Sequence, residues 1–564
     1  MAESATLPDI DFTRYYRYDE LVGHIQALVA ARPDLASLES IGQSLEGRDL
    51  WLVTLTNSTT GNPLAKPGYW IDGNTHAGEV TGSTACLYTI WWLLSEYGND
   101  PRVTDLLDHQ TTYILPRLCP DGAEYYLTTP HTIRSSTRRY PYPEERAGLV
   151  ESDIDGDGRI LLMRIADPNG AWKVSALDPR IMRPRAFDET GGTYYTLLNE
   201  GYIREYDGWH FAIAPDPHGI DMNRNYPHQW ASRDEEHGGG PYPLSEPEIR
   251  AEMDCWRARP NINGFYTYHT SGGVLLRPFS TLSDEAFPTE DLAIYKHFGE
   301  RGQAITGYRH ASTYHDFRYD PKGVTHGAMD DTGYDLFGWF GFTPELWDLP
   351  DEAGIKDRKW IEWDRWHPEE DDLAIMHWND AELGDEGFVN WHPFEHPQLG
   401  TVEIGGFPYK TVEQNPPPKY LRAIIERHAR FSLALALAAP RLALTRTAVQ
   451  RLGEETWQIT ALVENQGFLP TDTSRQARKR QVVRPITVTL TLPDDAMLIA
   501  GKARDEIGQL EGRAQSVHRL WALDDPGSRA RRMDWTVRAG AGATITLTCA
   551  AERAGTVRTT LLLE

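Results

Sequence analysis

Short apolar runs alternating with helical patterns constrain this chain more than any other feature. Leu50–Leu55, Pro67–Asp72, Thr112–Pro116, Ile262–Tyr268 and Trp339–Thr343 read as strands, bounded by Asn, Gly and Pro clusters. Tyr18–Ala31 carries apolar residues at helical spacing and stops before the Pro33 turn. Thr84–Leu94 is so apolar that its helix has to be buried on most sides. Strands alternating with helices point to an α/β sheet covered on both faces.

Two stretches break that rhythm. Residues 135–219 are rich in Pro, Gly, Tyr and Asp, and residues 348–418 are rich in Trp and His and end in three prolines. Both read as insertions elaborating the sheet, and Tyr420–Leu437 reads as the last helix of a first domain spanning residues 1–440. Beyond it the texture changes to alternating segments: Trp457–Val463, Ile486–Leu492, Arg532–Val537, Thr544–Cys549 and Val557–Leu563. Turn signals at short intervals between them predict an all-β sandwich over residues 441–564, with a packing or partner-binding role.

Charge is divided along the same boundary. Residues 441–564 hold 18 Lys+Arg against 14 Asp+Glu, so of the net −26 the first 440 residues carry −30. Such a surface repels phosphate, which excludes a nucleic-acid partner. No segment is long and apolar enough to predict a membrane span. The start, MAESATLPDIDF, lacks a basic and an apolar signal region, so the expected location is cytoplasmic. A secreted protein with its signal peptide trimmed would begin the same way. Cys86, Cys119, Cys255 and Cys549 are too few for a disulfide scaffold. Oligomeric state is not legible.

Three separated residues suggest a metal centre. His76 and Glu79 stand three apart in Gly73-Asn74-Thr75-His76-Ala77-Gly78-Glu79, a tight turn between a strand and the apolar helix. A third ligand has to come from elsewhere, since catalytic zinc usually takes three protein ligands and keeps an open position. His269 follows the strand Ile262–Tyr268, at the strand end where open α/β sheets gather active-site residues. Glu345 ends another strand-like run and could take a proton from water and return it to a leaving group. Separately, Asp153, Asp155 and Asp157 alternate ahead of Gly158 like the first half of a calcium loop. The twelfth position is Arg164, so this is not an EF-hand; calcium would need another closing ligand such as Glu151 or Asp167. A solvated turn is the alternative.

Taken in order, these residues resemble the zinc metallocarboxypeptidases, the carboxypeptidase A-like or funnelin family. The likeness covers residues 11–440 and rests on Gly42-Gln43-Ser44-Leu45-Glu46-Gly47-Arg48, His76-x-x-Glu79 and Pro120-Asp121-Gly122. It continues through Asp221-Met222-Asn223-Arg224-Asn225 and Ser245-Glu246-Pro247-Glu248 to His269 and Glu345. It implies a mixed sheet flanked by helices, a C-terminal exopeptidase activity and zinc held by His76, Glu79 and His269. It makes Glu345 the general base, Arg134 the group that polarises the scissile carbonyl, and Asn223 with Arg224 the grip on the substrate's terminal carboxylate. Arginine suits that last role because its planar fork matches a carboxylate bidentately.

The departures bear on specificity. Gly78 stands where digestive members carry an arginine. Tyr319 is the nearest match to the family's tyrosine over the terminal residue, but only after a shift of a few positions. Counting back from Glu345 without gaps puts Asp330 on the specificity position, resembling members that release Lys or Arg. A one-residue gap would put Met329 there and imply an apolar preference. Hydrolysis of C-terminal peptide bonds is the leading expectation, and a zinc amidase acting on N-acyl amino acids, toxin amides or cell-wall peptides is its alternative.

Overall fold

The computed structural model describes residues 6–518 and 525–564, apart from the side chains of Asp385 and His518. Its centre is an eight-stranded mixed sheet in the spatial order Ala36–Gln43, Asp49–Leu55, Thr111–Leu115, Gly68–Gly73, Ile262–Thr270, Phe340–Leu346, Val274–Arg277 and Arg309–Ser312. The four strands from Thr111–Leu115 to Phe340–Leu346 run parallel, and antiparallel pairs flank them. Because side chains alternate across a strand, adjacent apolar residues serve opposite cores. Val53, Leu55, Tyr69, Ile71, Tyr266 and Tyr268 pack on one face, Leu50, Leu52, Trp70 and Phe265 on the other.

The apolar helix of the sequence spans Val80–Glu96, and 14 of its residues are buried. It lies so close to the central strand that a Cβ on Gly73 would come within 2.8 Å of the Gly82 backbone. Only glycine fits there, and the approach fixes the turn carrying His76 and Glu79. Helices Thr289–Thr306 and Pro418–Ala436 pack on the same face, and Pro247–Arg257 covers the other through Met253 and Trp256.

The two insertions do not extend this sheet. They pair with each other in a second, six-stranded sheet, ordered Val389–His396, Gly400–Gly406, Leu162–Ala166, Tyr195–Asn199, Trp172–Val174 and Met182–Pro184. Glu403 lies opposite Arg164, and Leu161, Met163, Val402 and Ile404 form the sheet's own small core. Of the Trp-rich run, Trp360 is buried while Trp366 is exposed.

Toward the C-terminus two four-stranded antiparallel sheets enclose a separate core that includes Trp457, Ile459, Val488, Trp535 and Leu547. This unit is docked onto the first through the helix Arg475–Arg480. Asp291 accepts from the Arg475 and Gln476 backbone N–H groups, and the Ser474 hydroxyl donates to the Gly338 carbonyl. Asp335 beside them pairs with Arg480 and His228. All four cysteines are buried and free, and among the described residues no helix is long and apolar enough to cross a membrane.

Candidate metal centre and substrate cavity

Asn74 begins the turn after the central strand with φ +63°, a left-handed conformation that asparagine tolerates. Its amide donates to the carbonyls of His76 and Ala77, and its oxygen accepts from Ser83. Glu79 then caps the helix Val80–Glu96. His269 and Glu345 are brought alongside by sheet register, since they lie directly opposite each other on neighbouring parallel strands.

The result is a buried cluster of His76, Glu79 and His269 whose donor atoms lie within 4.8 Å of one another. His76 Nδ1 is 2.7 Å from one Glu79 oxygen, His269 Nδ1 is 2.9 Å from the other, and the two ring nitrogens are 3.0 Å apart. With the His76 proton on Nε2 facing Asp221 and the His269 proton on its Nε2, both Nδ1 atoms and Glu79 are acceptors converging on one point. A divalent cation satisfies all three, and two imidazoles with one carboxylate are a donor set that zinc takes.

Asp221 supports this cluster from behind. One carboxylate oxygen is 3.0 Å from His76 Nε2 and accepts from the Asn223 backbone N–H, while the other accepts from Arg134 Nε at 2.9 Å. Burial opposes its charge, but Arg134 and His76 outweigh burial and hold the carboxyl well below its usual range. Burial likewise opposes ionised Glu79, and the two imidazoles override it. Burial dominates at Glu345: despite His269 beside it, the carboxyl is pushed up to about 8.

A cavity of about 570 Å³ opens beside these groups, lined by Arg134, Asp221, Arg224 and Tyr319 together with Arg233, Glu236 and His237. Arg224 Nε is 3.3 Å from Glu236, and the Asn223 side-chain oxygen accepts from the Met329 N–H. Tyr319 is 59% exposed at the rim. Asp330 is buried, accepts from the Asp331 N–H, and lines this cavity no more than Met329 does. The expected pocket base is therefore part of a buried carboxyl pair, in which burial raises both pKa values. At Gly78 any side chain would collide with Gln414 and Tyr126, so the end of the second insertion occupies that space.

A larger cleft, about 1150 Å³, runs between Tyr126 of the core and the second sheet, with Trp172, Trp366 and Tyr409 in its walls. The Tyr409 phenol, raised mainly by burial, also feels Glu79, Arg134 and Tyr319, which places this cleft next to the metal centre.

The Asp153 loop is closed neither by Glu151 nor by Asp167, which bond to Asn199 and Thr196. Asp153 and Asp155 instead approach the buried Glu200, while Asp157 accepts from the Arg159 N–H outside that group. Glu200 accepts from three backbone N–H groups of the loop, which stabilises the turn without an ion.

A family model described as zinc carboxypeptidase matches residues 21–358, more than half of the chain. The chain belongs to the zinc carboxypeptidase family. Among curated members of the zinc carboxypeptidase family, carboxypeptidase D of Drosophila melanogaster is 22% identical over 363 residues, covering 59% of this chain and 20% of that protein. Carboxypeptidase A2 of Rattus norvegicus is 24% identical over 271 residues, covering 48% of each. The matches thus span between a fifth and about half of these relatives. The crystal structure of thrombin activatable fibrinolysis inhibitor aligns at 18% identity with a TM-score of 0.44, covering 75% of this chain and 74% of that one. Residues 441–561 match a model described only as a domain of unknown function.

The motif Asp221-Met222-Asn223-Arg224-Asn225 is legible in the sequence, yet nothing there assigns Asp221 to His76. Arg233, Glu236 and Tyr409 carry no sequence signal of a role.

Proposed function

We propose that this protein is a zinc-dependent carboxypeptidase that hydrolyses the last peptide bond of its substrates. The convergence of His76, Glu79 and His269, joined through Asp221 and Arg134 to a cavity that Arg224 also lines, carries the reading. Those three residues would hold the metal, which when bound supplies a Lewis acid that polarises an amide carbonyl and acidifies water to near neutrality.

The chain's own groups do the rest. Asn223 and Arg224 hold the terminal carboxylate, with the Asn223 oxygen tied to Met329 N–H so that its NH₂ is left for substrate. Arg134, fixed by Asp221, donates to the carbonyl oxygen as charge develops on it. Glu345 accepts a proton from the attacking water and delivers it to the leaving nitrogen as the C–N bond breaks. Tyr319 covers the terminal residue at the rim, and the rest of the peptide runs into the large cleft past Tyr409.

Amidation of the substrate tests this reading, because it removes the group that Arg224 would hold. Turnover of a short peptide is expected to vanish when its C-terminus is amidated and to persist when its N-terminus is acetylated. Equal rates on free and amidated C-termini would refute exopeptidase action.

A further inference from the structure

We infer that Arg233 reads the side chain of the substrate's terminal residue and that the cavity selects an acidic one. This rests on the preceding reading, in which Arg224 holds the α-carboxylate. Two of the three carboxylates in the cavity wall are already paired with arginines. Asp221 holds His76 and Arg134, and Glu236 pairs with Arg224 at 3.3 Å while accepting from the His326 N–H. Asp216 accepts from the His218 N–H, with the His218 ring nitrogen 3.7 Å away.

The three guanidinium groups are not equal. Arg134 and Arg224 have carboxylate partners, whereas Arg233 forms no ion pair among the described residues, and its buried NH1 has no hydrogen-bond partner. Its guanidinium carbon lies 6.0 and 5.7 Å from the ring centroids of Tyr140 and Tyr142. Aromatic faces orient a cation without neutralising it. Arg233 is therefore an unpaired cation in the cavity wall, and a second carboxylate on the terminal residue would meet it with charge-assisted hydrogen bonds. A lysine or arginine side chain would instead face Arg233 with like charge.

Calorimetry on the zinc-loaded Glu345→Gln protein, in which turnover is suppressed, reads this preference free of hydrolysis. N-acetyl-Ala-Glu and N-acetyl-Ala-Gln differ only in the side-chain charge. The glutamate compound is expected to bind at least about tenfold tighter, and Arg233→Gln should erase the difference while leaving the affinity for N-acetyl-Ala-Gln within about twofold. Arg233→Glu should reverse the preference toward N-acetyl-Ala-Lys. Equal binding of the Glu and Gln compounds to the protein with Arg233 intact would overturn the inference, as would a preference that survives both Arg233 substitutions. Selective glutamate binding, with no hydrolysis of any peptide by the unaltered zinc-loaded protein, would instead refute the proposed activity and leave Arg233 as the specificity residue.

Discussion

Replacing Asp221 with asparagine isolates what one buried carboxylate does for two neighbours. The substitution keeps shape and one acceptor, so the bonds to His76 Nε2 and the Asn223 N–H can survive. The other oxygen accepts from Arg134 Nε at 2.9 Å, and an NH₂ there sets donor against donor. Two losses follow. With a neutral partner behind it His76 becomes a poorer ligand, and outer partners of this kind are worth about 10- to 100-fold in metal affinity. Arg134 loses a charged hydrogen bond worth about 1.5–3 kcal/mol, which converts to about 10- to 150-fold in kcat/KM if all of it serves to orient the guanidinium. Competition against a chromogenic chelator measures the zinc Kd, and kcat/KM at saturating zinc then isolates the second effect. A zinc Kd within twofold of the unaltered protein, together with kcat/KM within threefold, would refute the coupling described for Asp221.

Glu345→Gln is expected to retain one zinc per chain by elemental analysis while losing at least about 10³-fold in kcat, because the proton carrier is gone; activity within tenfold would remove Glu345 from the mechanism. Glu248 offers a pH test of stability, since burial raises its carboxyl from 4.5 to about 7, one oxygen accepts from the Leu45 N–H, and the other has no partner. An acid whose pKa is raised on folding costs nothing below about pH 4.5 and its full penalty above about pH 7, so Glu248→Gln should gain up to about 3 kcal/mol in urea unfolding at pH 8 and nearly nothing at pH 4; a gain that does not grow with pH would contradict this. A chain ending at residue 440 should melt at lower temperature, because Asp291 and Gly338 lose their partners in the helix Arg475–Arg480; an unchanged Tm would show that docking contributes no stability.

How far the sequence could be read depends on the separation between partners. The helix Tyr18–Ala31 and the central strands were legible because each depends on its own local pattern. So was the His76–Glu79 turn, whose two functional side chains stand three residues apart. The strand Ala36–Gln43 sits at the sheet edge with a polar, poorly alternating sequence, and Val274–Arg277 is four residues long, so neither stands out. The second sheet was hidden because its halves belong to different insertions and each reads as loop without the other. Asp221 could be located in a motif, but its work depends on His76 and Arg134, more than eighty residues away in the chain. Asp330 aligned with a pocket by counting, with Asp331 beside it, yet counting does not register that both acids are buried.

The pairing of the two insertions also sets a timetable. Arg164 and its partner Glu403 are 239 residues apart, so at ribosomal speeds of about 5–20 residues per second the strand Leu162–Ala166 waits about 12–48 s for Gly400–Gly406 to be made. During that interval one edge of the strand is unpaired, and His269 and Glu345 are both synthesised before it ends. The wall of the large cleft is thus added after the catalytic groups. A nascent chain stalled between residues 346 and 400 would hold every one of those groups but lack the strand that completes the cleft.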